Sequence, residues 1–470
     1  MALAHDGIPW PTGSAPYSNT LDQALQLALS TADLERAEEF LEAVEPGEDR
    51  EHAQAFQFDV DNDQYTLDRL FITGDALFGH EFAPSEGYGT GEFTEPQRVH
   101  QGLRGGLDSY SCAGCHFVGG ADGAGSLTQN AFLDGDGIHV SSAIVRNAPA
   151  LLGLGFIQAL GAEMTRTLQL QRDAAVAQAL DGGVAVTAEM EAKGVHFGTL
   201  TAQPDGTLET GALAGVDADL VIKPFGWKGD VARLRRFVES AARIHFGVQS
   251  HVLAERARTT PDVARLGDGP NWWDPDNDGI QRELEEGTLT AGAVYLAMLE
   301  SPVILPPPDP VLRERWTRGS ALLDEVQCTT CHRRELLLTS PFWREMPDTT
   351  AGSGVLLNLM GDGDFPKSGS YVALFSDLKR HDMGHTLADA RPLDGLPAAA
   401  FLTRPLWGLA DSAPYLHDGR ALTLDEAIVA HGGEAEESRN AYAALNDDGK
   451  RDLQIFLLSL TRMPRLRVVQ

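Results

Sequence analysis

The sequence predicts a mainly α-helical protein, arranged as two tandem units with long loops and one small β insertion. Three observations carry that expectation. The motif C-x-x-C-H occurs twice, as Cys112–His116 and Cys328–His332, each behind a segment with helical apolar spacing. A proline-rich connector, Ser301–Leu312, stands between the copies. Strand-like alternation is confined to one region, Gly194–Gly211, with an Asp-Gly turn inside it.

The elements follow in order. Residues 1–65 are acidic and helical in pattern, and Thr20 with Gln23 forms a candidate capping box. Leu67–Phe82 is the helical lead-in to the first motif, and a Gly-rich loop follows. Residues 162–220 form a long insertion, a helix through Thr167–Leu180 and then the strand-like run. Before the second motif, Ala321, Leu322, Val326 and Cys328 fall close to one helical face. This divides the chain into an N-terminal segment 1–65, a first unit 66–305 carrying the insertion, and a second unit 306–470. A chain of 470 residues is long enough for such a division.

Composition narrows the function. Apolar residues make up 43% and charged residues 22%, as in soluble globular proteins. No run of eighteen apolar residues occurs, so no transmembrane helix is expected. The net charge of −31 repels phosphate backbones and anionic lipid, which argues against nucleic acid and membrane surfaces as partners. A small redox carrier or a basic electron-donor protein suits it better, although solubility alone accounts for most of these charges.

The chain has four cysteines, and all lie in the two motifs, at Cys112, Cys115, Cys328 and Cys331. C-x-x-C-H is the attachment signature of c-type haem. Two thiols on one turn form thioethers to the two vinyl groups of one porphyrin, and the next histidine, His116 or His332, faces the iron. A redox dithiol or a zinc site remains the alternative. The two pairs are far apart in sequence for one zinc site, and each carries a histidine that such a site does not need. The expectation is therefore two covalently bound haem c groups in two cytochrome c-like units. Such attachment implies assembly outside the cytoplasm, hence a periplasmic or extracellular protein. The N-terminus shows no basic and apolar signal pattern, so the signal peptide is expected to be absent from this sequence.

A second metal pattern lies in Asp274–Glu285. Asp274, Asp276 and Asp278 take positions 1, 3 and 5 of an EF-hand-like loop, with Gly279 at 6, Ile280 at 7 and Glu285 at 12. Gln281 stands where a branched residue is expected, so an acidic surface turn is the competing reading.

Several ordered segments resemble the bacterial di-haem cytochrome c peroxidase superfamily, and most closely its di-haem oxidoreductase branch. They are the two haem motifs, Arg146–Gly155, Lys223–Ser250, Leu374–Gly384, Phe401–Arg420 and Ala427–Glu436. The resemblance covers roughly residues 67–460. It implies one six-coordinate haem that passes electrons and one open haem, usually the first, that meets peroxide. It implies an interdomain calcium on Asn147 and the backbone of Ser412 and Pro414. It puts His139 in the place of the first haem's distal histidine and His431 in the place of the second haem's distal ligand, where the peroxidases have Met. Histidine there lowers that haem's potential. The superfamily's inter-haem Trp has no counterpart in the stretch shortly after Arg146–Pro149, which reads GFIQALGAEMT.

The remaining candidates are weighed on their neighbours. Thr423 with Glu426 forms a capping box, so a helix from Leu424 to about His431 would present His431 rigidly; a helix-terminal imidazolium is the alternative. His417, before Asp418-Gly419, reads as a supporting neighbour of the haem edge. Met383 is the rival distal ligand, with packing the alternative, while His381 and Arg380 could pair the haem carboxylates. For the first haem, His245 and an open site compete with His139, and Glu163 is a candidate acid-base group or simply surface. Trp227 and Trp407 are core residues or hopping stations. The function this predicts is a peroxidase-like di-haem c-type oxidoreductase, one haem reacting with peroxide and the other relaying electrons. The rivals are a pure electron carrier and an enzyme that oxidises a partner protein's side chain.

Overall fold

A computed structural model describes residues 54–462, apart from 90–98, 101–102, 105–106, 134, 137, 252–278, 281–282, 348–353, 362–364 and 394. The expected N-terminal helices, and Asp274, Asp276 and Asp278 of the acidic loop, therefore lie outside the described residues. Ile280 and Glu285 are described, and Glu285 caps the N-terminus of a helix.

Nine α-helices occur among the described residues: α1 (Gln57–Asp61), α2 (Leu67–Gly79), α3 (Leu154–Gly182), α4 (Leu234–Ala241), α5 (Glu286–Met298), α6 (Pro310–Glu325), α7 (Leu424–Ala430), α8 (Glu436–Ala443) and α9 (Asp447–Leu457). Local chemistry starts the important ones. Thr66 accepts from Arg69 N at 3.2 Å to open α2. Asp309 accepts from Leu312 N at 2.9 Å to open α6, whose first residue is a proline. Both helices that lead into the haem motifs are thus where the apolar spacing put them.

Each lead-in helix crosses a later helix at a glycine. A Cβ on Gly74 of α2 would lie 2.3 Å from Ala291 O of α5. A Cβ on Gly319 of α6 would lie 1.9 Å from Asp452 O of α9. The small residue lets the two backbones approach closely. One continuous apolar cluster runs from Val60 to Leu460 around these crossings and includes α3, all of whose first turns are buried. Every residue of α5 is buried, so its polar groups need internal partners. Arg235 of α4 supplies one: fully buried, it reaches Thr290 at 2.8 Å, Glu286 at 3.0 Å and Glu345 at 3.2 Å. Three separate elements are tied by that guanidinium.

The insertion is as expected, with one more strand. Val186–Ala192, Val195–Ala202 and Leu208–Glu209 form an antiparallel sheet, and Gln203 N bonds to Thr207 O at 2.8 Å across the Asp-Gly turn. Low strand content elsewhere was the wrong expectation. Among the described residues, six two-stranded ladders lie outside the insertion. Three of them are Leu336–Leu338 with Ser370–Val372, Phe342–Glu345 with Val355–Asn358, and Arg380–Asp382 with Ala400–Leu402. Runs of three or four residues are too short for period-2 alternation to stand out in sequence.

The glycine crossings make a direct prediction. Gly74→Ala and Gly319→Ala should each lower stability by about 1–3 kcal/mol, because backbone must move to admit a methyl group. Gly79, which has nothing within 4 Å of its added Cβ, should gain a few tenths to about 1 kcal/mol on Gly79→Ala. Urea unfolding of the three variants checks the contrast.

Candidate functional site

Each C-x-x-C-H segment is a single tight turn. His116 N reaches Cys112 O at 3.2 Å, and His332 N reaches Cys328 O at 2.9 Å. The turn carries both thiols and the imidazole to one cavity. The cavity at the first motif measures about 480 Å³ and the one at the second about 380 Å³. Both are the size of cofactor pockets.

The two motif histidines are held alike. His116 Nδ1 lies 3.0 Å from Pro149 O, and His332 Nδ1 lies 3.1 Å from Phe375 O. A ring nitrogen facing a carbonyl must donate, so Nε2 keeps its lone pair for a metal. Burial pushes both imidazoles down to about 4, so both are neutral. The thiols go the other way. Burial pushes Cys112 up to about 12 and Cys328 up to about 11. A redox dithiol needs a depressed thiol pKa, so that alternative loses its chemistry. The two pairs line separate cavities, so a shared zinc site is not formed. Cys331, Asp377 and His381 do lie within 4.8 Å of one another. His381 is already saturated there, by Asp377 at 2.8 Å and Glu434 at 2.7 Å.

Arg404 completes the fit to a haem in the second cavity. It lines that cavity, and no hydrogen bond or ion pair to it occurs among the described residues; its guanidinium sits 5.4 Å above the Trp227 ring. A sheltered cation in an apolar cavity suits the acidic edge of a haem. The thiol pairs, the neutral imidazoles and this guanidinium together are what a haem requires.

His431, Met383 and His417 all line the second cavity. The capping box is present, with Glu426 N on Thr423 Oγ1 at 3.2 Å and Thr423 N on Glu426 Oε2 at 3.0 Å. His431 follows the last residue of α7, and its Nδ1 lies 2.8 Å from Ala427 O. Its Nε2 is therefore also left with a lone pair. His417 is buried, stacks on Phe401 at 4.5 Å, and is driven down to about 4 by that burial. Its backbone oxygen accepts from Asn147 N at 2.7 Å.

The first cavity receives His245, in a single π-helical turn, Ala242–Phe246. Its Nδ1 lies 3.0 Å from Asp108 Oδ2. The other two candidates for that cavity are elsewhere. His139 is 69% exposed at the side chain and pairs with Asp136 at 2.8 Å, because Asp136 folds its loop outward. Glu163 binds Lys193, the backbone N–H of Thr339 and that of Ser340, so it ties α3 to the strand turn of the second half. Neither lines the cavity. Arg380 is committed to Asp217 and Gly229 O, not to the second cavity.

A thin wall separates the cavities. Asn147, Ala148, Pro149 and Trp227 line both. Trp227 Nε1 donates to Asn147 O at 2.8 Å and so fixes the indole in the wall. Trp407, by contrast, lines only the second cavity and donates to Ala373 O at 2.8 Å. The Asn147 amide NH₂ bonds to Ser126 O and Asn130 Oδ1, which leaves Oδ1 as what it could offer a cation. Ser412 and Pro414 line the second cavity too, and a Cβ on Gly419 would meet both Asn147 and Pro414 at 3.2 Å. The calcium candidates of the wall are thus neighbours.

Sequence reasoning missed Arg404 and Asp108 and undervalued Trp227. The Trp carried a usable signal. The long insertion stands between the Arg-Asn-x-Pro segment and GWKGD, so a search confined to the stretch just after that segment stops short of Trp227.

Residues 303–460 match the family described as "Di-haem oxidoreductase, putative peroxidase". Two solved structures are similar. One is hydrazine synthase from Kuenenia stuttgartiensis, at 20% identity over 39% of this chain and 58% of that one, with a TM-score of 0.24. The other is a MauG-like protein associated with microbial copper homeostasis, at 15% identity over 66% of this chain and 89% of that one, with a TM-score of 0.27. The chain spans less than two thirds of the hydrazine synthase chain it matches. No curated protein matches it.

One buried acid by the first cavity has a measurable signature. Desolvation pushes Asp122 up from 3.8 to about 7, against the lowering effect of its hydrogen bond from Tyr295. The folded state thus holds that proton more tightly than the unfolded chain. Its contribution is fully present below about pH 4 and is lost as pH rises to about 7. Urea titrations should show the wild type losing on the order of 4 kcal/mol over that window relative to Asp122→Asn.

Proposed function

We propose that the protein is an extracytoplasmic di-haem c-type oxidoreductase of peroxidase type, with covalent haem at both motifs. The observation that carries this reading is the asymmetry of the two cavities across one indole. In the second, His431 faces the same space as His332, each with Nδ1 tied to a carbonyl. In the first, His245 stands in the cavity of His116 with a carboxylate behind it.

Haem supplies the redox chemistry when bound, and the protein sets ligation, access and proton supply. His332 and His431 would both hold the second iron, which suits an electron store. His116 would hold the first iron. His245, oriented by Asp108, takes a proton from peroxide at Nε2 and returns it to the departing oxygen. Trp227 carries electrons through the wall, and Arg404 anchors the acidic edge of the second haem. A cation on Asn147 with the Ser412 and Pro414 carbonyls would brace the same wall. The acidic surface favours a basic electron-donor protein.

A second reading, a pure electron carrier, is favoured by one feature. His245 Nε2 could itself ligate the first iron, closing both sites.

The ferric spectrum decides between them. The peroxidase reading expects a high-spin component and a ferrous form that binds CO; wholly low-spin iron indifferent to CO and peroxide would sink it. His431→Ala should turn the second haem high-spin, whereas His139→Ala should leave both spectra unchanged. Trp227→Phe keeps the packing but raises the barrier to hole transfer. It should slow electron exchange between the haems by at least about tenfold in stopped-flow reduction.

A further inference from the structure

The chain also holds a buried group of acids to which the reading above gives no task. Tyr295 of α5 is 1% exposed and lines the first cavity. Its hydroxyl donates to Asp122 Oδ1 at 2.5 Å and also shares a hydrogen bond with Asp75. Asp122 is fully buried, and its Oδ2 has no hydrogen-bond partner among the described residues. A buried phenol needs one acceptor, and a backbone carbonyl would serve. Two carboxylates there cost desolvation that satisfying the hydroxyl does not require. Perturbed acids of this kind concentrate at functional sites.

The arrangement has a direction. Asp75 is half-buried, so Asp122, Tyr295 and Asp75 lead from the sealed interior towards solvent. On its other side the phenol packs on Phe78 at 5.4 Å, and Phe78 packs on the His116 ring at 5.9 Å. One aromatic ring separates Tyr295 from the imidazole that holds the first haem.

We propose that Tyr295 is a redox-active tyrosine of the first haem site, giving one electron to the oxidised haem and its hydroxyl proton to the Asp122 carboxylate. The O–H bond breaks, an O–H bond forms on Asp122, and a neutral phenoxyl radical remains. The proposal rests on the peroxide reading, which supplies the oxidant. Peroxide takes two electrons, and two protons from solvent water, to become two waters. Tyr295 supplies one electron, and the second comes from the second site through Trp227. The electrostatics favour the step. At about pH 8, where Asp122 is ionised, a carboxylate beside a neutral phenol becomes a neutral acid beside a neutral radical, so a buried charge is discharged. Asp75 offers the way back for a proton when the radical is reduced.

The test uses the di-haem holoprotein. One sample receives one equivalent of hydrogen peroxide. A second is oxidised by a flash-generated ruthenium tris-bipyridine oxidant, which needs no peroxide chemistry. Both are frozen within milliseconds and read by electron paramagnetic resonance, with ring-deuterated tyrosine to identify the radical. The expected result is a tyrosyl signal at least tenfold weaker in Tyr295→Phe and unchanged in Tyr88→Phe and Tyr110→Phe, whose rings stack at 5.0 Å near the first motif. Asp122→Asn keeps the phenol but removes the acceptor, and should cut the signal on the order of tenfold. A signal that survives Tyr295→Phe, or that is lost in the Tyr88 or Tyr110 variant, overturns the proposal. If peroxide leaves the haem spectra unchanged, the peroxidase reading fails, and the flash-oxidised sample still judges Tyr295. If Tyr295→Phe does not fold, Asp122→Asn and spin-trap peptide mapping of the wild type decide: an undiminished signal in the variant, or a spin adduct on another tyrosine, overturns the proposal.

Discussion

The wall Asn147–Pro149 with Trp227 is the constraint on which the rest of the structure depends. Its backbone serves both cavities at once. Pro149 O holds the His116 ring, Asn147 O holds the Trp227 indole, and Asn147 N is held by His417 O. A shift in this short segment would move the His116 ring, the indole and the second cavity's rim together. Sharing the wall also makes the two sites neighbours without any extra element between them. That closeness is what an electron relay requires, and hydrogen bonds to main chain are the stiffest way to keep it.

The same economy appears in how the imidazoles are set. His116, His332 and His431 each turn Nδ1 to a backbone carbonyl and leave Nε2 for a metal. His245 turns Nδ1 to a carboxylate instead. A carbonyl fixes a tautomer; a carboxylate also stabilises the protonated ring. The difference in partner, a carboxylate against a carbonyl, is what distinguishes His245 in the first cavity from His431 in the second. Around them the acids are handled differently again. Asp389 is held below the usual carboxylate range by Arg146 and Lys228 despite its burial. Asp122 is pushed up by desolvation, which the hydrogen bond from Tyr295 and the charge of Arg462 do not offset.

Most of the framework was legible. The two motifs, both lead-in helices, the β insertion and the capped helix before His431 follow from local rules that short windows obey. The failures share a cause. His139 was placed by counting along the chain from Asn147 and Glu163 by counting from Pro149, and counting fails where a loop turns outward or a helix runs on. His139 is carried out by the Asp136 turn. Glu163 sits on the third turn of a helix that begins at Leu154, and its carboxylate finds Lys193 and the next unit's backbone. Arg380 failed because a carboxylate 163 residues away, Asp217 in the insertion, comes to it. Trp227 failed in the opposite sense, since the insertion hid a residue that the wall brings back.

By itself the sequence determined the local pieces: two thiol pairs, two adjacent imidazoles, and a helix that ends just before His431. Those are decided within one turn of chain, where spacing fixes which atoms share a face. Only the tertiary structure decided which histidine meets which cavity, that Arg404 lines a haem's space without a protein partner among the described residues, and that Trp227 stands between the two sites. Each of those pairs residues tens to hundreds of positions apart. They are brought together by α5 and the helix crossings at Gly74 and Gly319, where burial of apolar surface, not local propensity, sets the geometry.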